Sequence, residues 1–151
     1  MTQRQRGDSQ WGQAVGRYQH FAPARNGIDR IQRLNLACEP SIKLTQLGLD
    51  IDRELAYGHL RDLAARAHAA GNYLWVDMEQ SPYVDVTLEL TRRLRAEFPR
   101  VGVCLQAYLY RTREDLIDLM GRGIGIRLVK GAYNEAAEVA FPKKRDVDAN
   151  Y

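Results

Sequence analysis

Two cysteines, Cys38 and Cys104, are all that the 151 residues carry, and neither has a partner at CxxC or Cys/His spacing. A disulfide framework and a zinc site are therefore not expected, and a reducing cytoplasm is the expected compartment. Cys104 stands inside the apolar run VGVCL and reads as a small core residue rather than a nucleophile. No apolar run reaches the roughly 18 residues that a membrane-spanning helix needs. The opening MTQRQRGDSQWGQ has arginines but no apolar stretch behind them, so it does not read as a secretory signal. There is no GxGxxG, no Walker A loop, no nucleophile elbow and no HExxH. A Rossmann nucleotide site is thereby disfavoured, and a bound nucleotide would have to lie across strand ends.

A basic face is lacking too. The net charge is +3, but residues 1–40 hold six arginines against Asp8, Asp29 and Glu39, while the remaining 16 basic and 16 acidic residues cancel. The excess belongs to an N-terminal segment that reads as a solvated tail, not as a nucleic-acid site. That segment has scattered glycines and prolines and room for one short helix around 27–36. The rest of 1–40 reads as poorly ordered.

From residue 41 onward the pattern is regular. SIKLTQ, YLWVDM, VGVCLQAYLY and IGIRLVKGAY are near-continuous apolar runs, as in a parallel sheet covered by helices. Between them lie three helical stretches. In Ile51–Ala70, residues Leu55, Leu60, Leu63, Ala64 and Ala67 share a face; Asp50 or Asp52 can cap it and Gly71 can close it. In 81–98, Ser81 is the expected N-cap with Pro82 following, and Val84, Leu88, Leu90, Thr91 and Leu94 supply the buried face. In 111–123, Thr112 is the expected cap. No helix is evident after the fourth strand. Four such βα steps fit either a doubly wound sheet or about half of a (β/α)8 barrel.

Polar residues recur near the carboxyl end of each run: Lys43, Thr45 and Gln46, then Asp77, then Gln106, then Arg127 and Lys130. A single such residue is more often an ion pair or a cap than a catalytic group. Four consecutive strands with the same placement are harder to explain that way, because buried charge is costly without partners. In parallel α/β folds these strand ends form the ligand face. A positively biased pocket there suits a ligand with carboxylate or phosphate groups.

Five segments in order, SIKLTQLGLD, VDMEQSP, VCLQAYLYRT, IRLVKGAY and EVAFPKKRDVDANY, closely resemble the proline dehydrogenase (proline oxidase) family, most of all its stand-alone bacterial members. The resemblance covers residues 41–151, and residues 1–40 do not share it. It implies a (β/α)8 TIM-barrel fold, present here to about the first four βα units, with FAD at the carboxyl ends of the strands. The implied reaction oxidises L-proline to 1-pyrroline-5-carboxylate, which hydrolyses to glutamate semialdehyde, and passes electrons to a membrane quinone. A cytoplasmic protein in peripheral contact with the inner membrane face is expected, without metal or nucleic acid.

By position, the resemblance makes Lys43 the lysine that meets the proline carboxylate and Asp77 the active-site aspartate. Met78 and Gln106 become flavin contacts, and Arg127 the arginine near flavin N5. Lys130, Gly131 and Ala132 match the stretch following the cofactor's phosphate-bearing chain, and Leu128 and Tyr133 resemble residues packing near the isoalloxazine or proline ring. The later strands, and a final helix with paired arginines, are absent from these 151 residues. Weak FAD binding and no detectable proline oxidation by this chain alone are therefore expected. Two alternatives stay open: a non-catalytic or partner-completed half-barrel, and a different (β/α) enzyme acting on a phosphorylated substrate.

Overall fold

The computed structural model describes residues 21–151. Four parallel strands, β1 (Ser41–Ile42), β2 (Leu74–Val76), β3 (Val101–Gln106) and β4 (Gly125–Val129), lie side by side in sequence order. Helices α2 (Arg53–Ala69), α3 (Val84–Glu97) and α4 (Thr112–Gly121) connect them, α1 (Phe21–Arg33) precedes them and α5 (Lys144–Asn150) follows. This sequential order without reversal is that of a barrel, not of a doubly wound sheet.

The strands are shorter than the apolar runs that signalled them. Lys43 leaves β1 at once into a 3-10 turn at Leu44–Leu47, and Tyr108–Tyr110 lie beyond β3. The fourth run is followed by a helix after all, α5, which the sequence pattern does not signal because its seven residues include no buried one.

Helix α1 is already present at Phe21, the first described residue and six residues before the expected start. Pro23 lies at the amino-terminal end of its described range. It ends before Leu34 and Leu36, which are exposed, and Asn35 at φ 49° turns the chain out. Ile28 anchors α1 in the core, and the Phe21 ring stacks on His59 of α2 at 4.2 Å.

Asp52 caps α2, its carboxylate accepting from the Leu55 N–H at 2.7 Å, and Gly71 at φ 67° ends the helix region. Leu60, Leu63, Ala64 and Ala67 of α2 are buried, as are Val84, Leu88, Leu90, Thr91 and Leu94 of α3. Each fully buried leucine contributes about 2 kcal/mol relative to exposure. These side chains meet Leu74, Val76, Val101, Val103 and Leu105 from the sheet in one core. Two expected caps are corrected. Ser81 begins a 3-10 turn (Ser81–Tyr83) and its polar groups go elsewhere, while Thr112 is already helical and its hydroxyl donates to the Gln106 carbonyl at 2.5 Å.

The face away from the helices carries the alternate residues of each strand. Register sets Trp75 beside Gly102 and Gly102 beside Gly125. A Cβ on Gly102 would lie 2.4 Å from a Trp75 ring carbon. Glycine there lets the Trp75 ring lie across the sheet, with Tyr73 stacked on it at 4.8 Å. An aromatic layer thus occupies the amino-terminal part of this face.

Candidate functional site

One row beyond the aromatic layer, toward the carboxyl ends, the chemistry changes to charge. Ile42 pairs with Val76, Val76 with Val103, and Cys104 with Arg127. The next positions along therefore align Lys43, Asp77, Cys104 and Arg127 across the sheet. Neighbouring strands are about 4.8 Å apart, so Arg127 must pass over β3 to reach Asp77. The side chain it crosses is that of Cys104, small and buried.

Asp77 is the centre of the cluster. Lys43 Nζ donates to its Oδ2 at 3.1 Å, and Arg127 Nη2 and the Ser41 hydroxyl donate to its Oδ1. Arg127 also donates to Ser41 Oγ at 3.2 Å and stands 5.7 Å from the Trp75 ring centroid. Burial is the largest influence on Asp77 and opposes its ionisation. The Ser41 and Lys43 hydrogen bonds and the charges of Lys43 and Arg127 together outweigh burial and hold its carboxyl below the usual range. For Lys43, burial likewise works against the charged form, but Asp77 prevails and its ammonium is held above the usual value. Two cations on one carboxylate leave the triad with one net positive charge.

The loop after β2 is the hub of a second set of bonds that ties all four strand ends together. Glu79 is buried, and its carboxylate accepts from the Thr45 N–H at 3.0 Å and the Thr45 hydroxyl at 2.7 Å, joining β1 to β2. Its own carbonyl accepts from Gln106 Nε2 at 2.8 Å, joining β2 to β3. Ser81 donates from its N–H and its hydroxyl to the two oxygens of Glu135 at 2.7 and 2.6 Å, joining β2 to the loop after β4. Asp77, Glu79 and Ser81 alternate along the loop: Asp77 reaches β1 and β4, Glu79 the turn after β1, and Ser81 the loop after β4.

Gly131 has φ 124°, and a Cβ there would lie 2.4 Å from Tyr108 Cδ1. The chain can turn here only without a side chain, and the Tyr108 ring fills the space. Burial first, then the Glu135 charge, pushes the Tyr108 phenol up to about 12. Its hydroxyl is buried without a well-formed hydrogen bond.

Of the ten residues singled out from the sequence, Lys43 and Arg127 both contact Asp77. Gln106 is buried at the end of β3, bonded to the adjoining loop. Tyr133 is close enough to Lys43, Asp77 and Glu79 for their charges to act on its phenol, which burial first of all raises above the usual value. Lys130 turns aside to Asp148 of α5. Ala132 is exposed on the same loop, and Met78 is buried in the hydrophobic core. Leu128 is on the other face. Strand alternation sends it toward the helices with Ile126, where it packs on the core, and places Val129 on the Arg127 side. Glu79, Ser81 and Glu135 carry no such signal in the sequence, because a loop carboxylate or serine looks the same whether it faces water or a neighbour's N–H.

The donor set fits a flavin dinucleotide. An amide at Gln106, a guanidinium at Arg127, an ammonium at Lys130 and the bare backbone of Gly131 lie along adjacent strand ends. The three side chains are bonded here to the Glu79 carbonyl, Asp77 and Asp148, bonds that a cofactor's carbonyl and phosphate oxygens would replace. Among the described residues, no cluster of three or more His, Cys, Asp or Glu side chains could hold a metal ion, and no helix is long and apolar enough to cross a membrane.

The family model for proline dehydrogenase matches residues 6–151, so most of the segment 1–40, which the motif resemblance left out, falls inside the match. Proline dehydrogenase 1 of Bacillus subtilis is 40% identical over 127 residues, covering 84% of this chain and 42% of that protein. Proline dehydrogenase of Deinococcus radiodurans is 45% identical over 116 residues, covering 74% and 37%. The chain thus spans well under half the length of these curated relatives. Among solved structures, proline utilization A of Bdellovibrio bacteriovorus, inactivated by N-propargylglycine, matches with a TM-score of 0.63 at 29% identity over 73% of this chain and 14% of that one. A proline utilization A structure with proline bound in remote sites shares the fold with a TM-score of 0.75 at 22% identity over 90% and 18%. The parallel half-barrel, its charged strand ends and these matches together establish that the chain belongs to the proline dehydrogenase family.

Proposed function

We propose that this chain forms the cation-bearing part of the active site of an FAD-dependent proline dehydrogenase, which oxidises L-proline to 1-pyrroline-5-carboxylate with a membrane quinone as final acceptor. The observation that carries the reading is the Lys43–Asp77–Arg127 cluster, displayed on the helix-free face of the sheet at its carboxyl end. Its surplus positive charge is what the carboxylate of proline requires, and Lys43 presents the compact ammonium to receive it. Asp77 remains ionised at neutral pH and keeps two cations from repelling one another. FAD, when bound, supplies the acceptor for the hydride on the ring carbon next to the proline nitrogen. Arg127 presents a fixed positive charge where that transfer builds negative charge, and the low Cys104 side chain leaves its path to Asp77 clear. Gln106, Lys130 and the Gly131–Ala132 backbone are the residues that would hold the cofactor.

These 151 residues bind FAD saturably on this reading. Titration followed by flavin fluorescence tests it. Arg127→Ala and Gln106→Ala should each weaken binding about tenfold, the effect of one lost charge-assisted or buried hydrogen bond. Unchanged affinity in both variants would contradict the assignment. The half-barrel completed by a partner without catalysis would show FAD binding that L-proline never perturbs.

A further inference from the structure

We infer that Glu135 is a positioning residue for the proposed site: by clamping Ser81, it holds the Gly131–Glu135 turn so that Tyr133 faces the Lys43–Asp77 pair. The inference rests on the proposed function for its ligand, but the clamp itself stands on geometry. Glu135 engages both polar groups of Ser81, N–H and hydroxyl, with one oxygen each, at 2.7 and 2.6 Å. This two-point contact leaps over β3, as Arg127 does one tier below to reach Asp77. The turn between the two crossings is thus fixed at both ends.

The other side of the turn is already held. Lys130 accepts at its carbonyl from the Tyr108 N–H at 2.8 Å, and Gly131 lies flat against the Tyr108 ring. Further along, the Tyr110 hydroxyl donates to the Ala137 carbonyl at 2.9 Å, and Leu109 bridges Ala140. All these contacts bind the loop to the segment following β3. Only the Glu135 carboxylate, among the bonds described, carries it across to the loop after β2, where Asp77 sits. Tyr133 is two residues away, half-buried on a turn whose other end, Gly131, is fixed against the Tyr108 ring. The charges of Lys43, Asp77 and Glu79 acting on its phenol agree with its facing that pair. A turn released from Ser81 would keep the Lys130, Gly131, Ala137 and Ala140 contacts to the segment after β3 and swing Tyr133 away from the cluster. Glu135 also approaches Tyr108, and Ser81→Ala separates that approach from the clamp.

Backbone hydrogen exchange of the full chain tests the clamp without any ligand. In Glu135→Ala, the Ser81 amide and the amides of residues 131–135 should exchange at least about tenfold faster, with those of Val103 and Leu105 unchanged. Glu135→Gln, which keeps one acceptor oxygen, should fall between the two. Ser81→Ala deletes only the hydroxyl bond and serves if Glu135→Ala fails to fold. Unaltered exchange at 131–135 in a folded variant would overturn the inference.

The positioning role is read by calorimetric titration of the FAD-loaded chain with L-proline. Glu135→Ala and Tyr133→Ala should each weaken binding about tenfold, and the double variant should be no weaker than either alone, since Glu135 acts through Tyr133. Additive losses would mean Glu135 merely stabilises the fold, and would overturn the role. If the unmodified chain binds no L-proline, the proposed function fails, and the exchange measurement still decides the clamp.

Discussion

Arg127 of β4 donates to the carboxylate of Asp77 at the end of β2, although β3 lies between them. An ion pair spanning two inter-strand spacings on the open face of a sheet is possible because the residue it crosses, Cys104, is small. Replacing Cys104 by leucine should lift Arg127 off Asp77 and cost about 1–3 kcal/mol of stability through overpacking. Chemical denaturation measures the cost, and a Cys104→Val variant, closer in volume, should lose less than half of it.

Asp77 sets an acid limit on stability. Its carboxyl has a folded pKa below its unfolded one, so its contribution is present above the ordinary aspartate range and is lost as pH falls through the lower, folded value. Stability should therefore decline below about pH 4, the region of an unperturbed aspartate. Asp77→Asn should flatten that decline. At neutral pH it should cost about 1–2 kcal/mol, because Lys43 and Arg127 then face each other unneutralised. Thermal unfolding of both forms across pH 2–7 checks the sign and the window.

The alkaline side is governed by phenols. Burial first, and then the hydrogen bond to Glu97, push Tyr57 up to about 12. Its raised pKa means that the contribution is present below the unfolded tyrosine value and lost as pH rises between about 10 and 12. Tyr57→Phe should remove that alkaline loss and cost about 1 kcal/mol at neutral pH, the worth of its 2.5 Å bond to Glu97. Absorbance titration of tyrosinate, with and without the substitution, reads both.

Gly131→Ala should be disproportionately harmful for a single methyl. The new Cβ would fall 2.4 Å from the Tyr108 ring, at a φ of 124° that L residues rarely adopt. The expected cost is about 2–3 kcal/mol, with weaker FAD binding as the turn shifts. Gly27→Ala, in open space on α1, should be neutral or stabilising and serves as the control. Equal effects at the two glycines would argue against a tightly packed turn at 131.

How far these features could be read from the sequence follows from which signals are local. Leu60, Leu63 and Ala64 declare a helical face by spacing alone, and the structure buries all three. Lys43, Asp77 and Arg127 stood out because charge within an apolar run is conspicuous, and they do converge. Leu128 is expected near a ring only through the family resemblance, and β4 shows no alternation of polar and apolar residues that would assign it a face. By alternation from Arg127 it lies toward the helices, and Val129, one position further, shares the Arg127 side. Ser81 and Thr112 have the right residue type and place for helix caps, but Glu135 and the Gln106 carbonyl claim their hydroxyls. Those partners are 54 and 6 residues away, and nothing in local spacing announces the longer contact.

The most direct test of the central claim puts this chain's residues into a complete relative. The 127 residues that match Bacillus subtilis proline dehydrogenase 1 would replace their counterparts there, and proline-dependent dye reduction by the chimaera would be measured. The account predicts turnover that Lys43→Ala lowers mainly through KM and that Arg127→Ala lowers in kcat by about 100-fold or more, the scale for losing one fixed charge at a site of developing charge. A folded, FAD-loaded chimaera whose turnover is indifferent to both substitutions would contradict it.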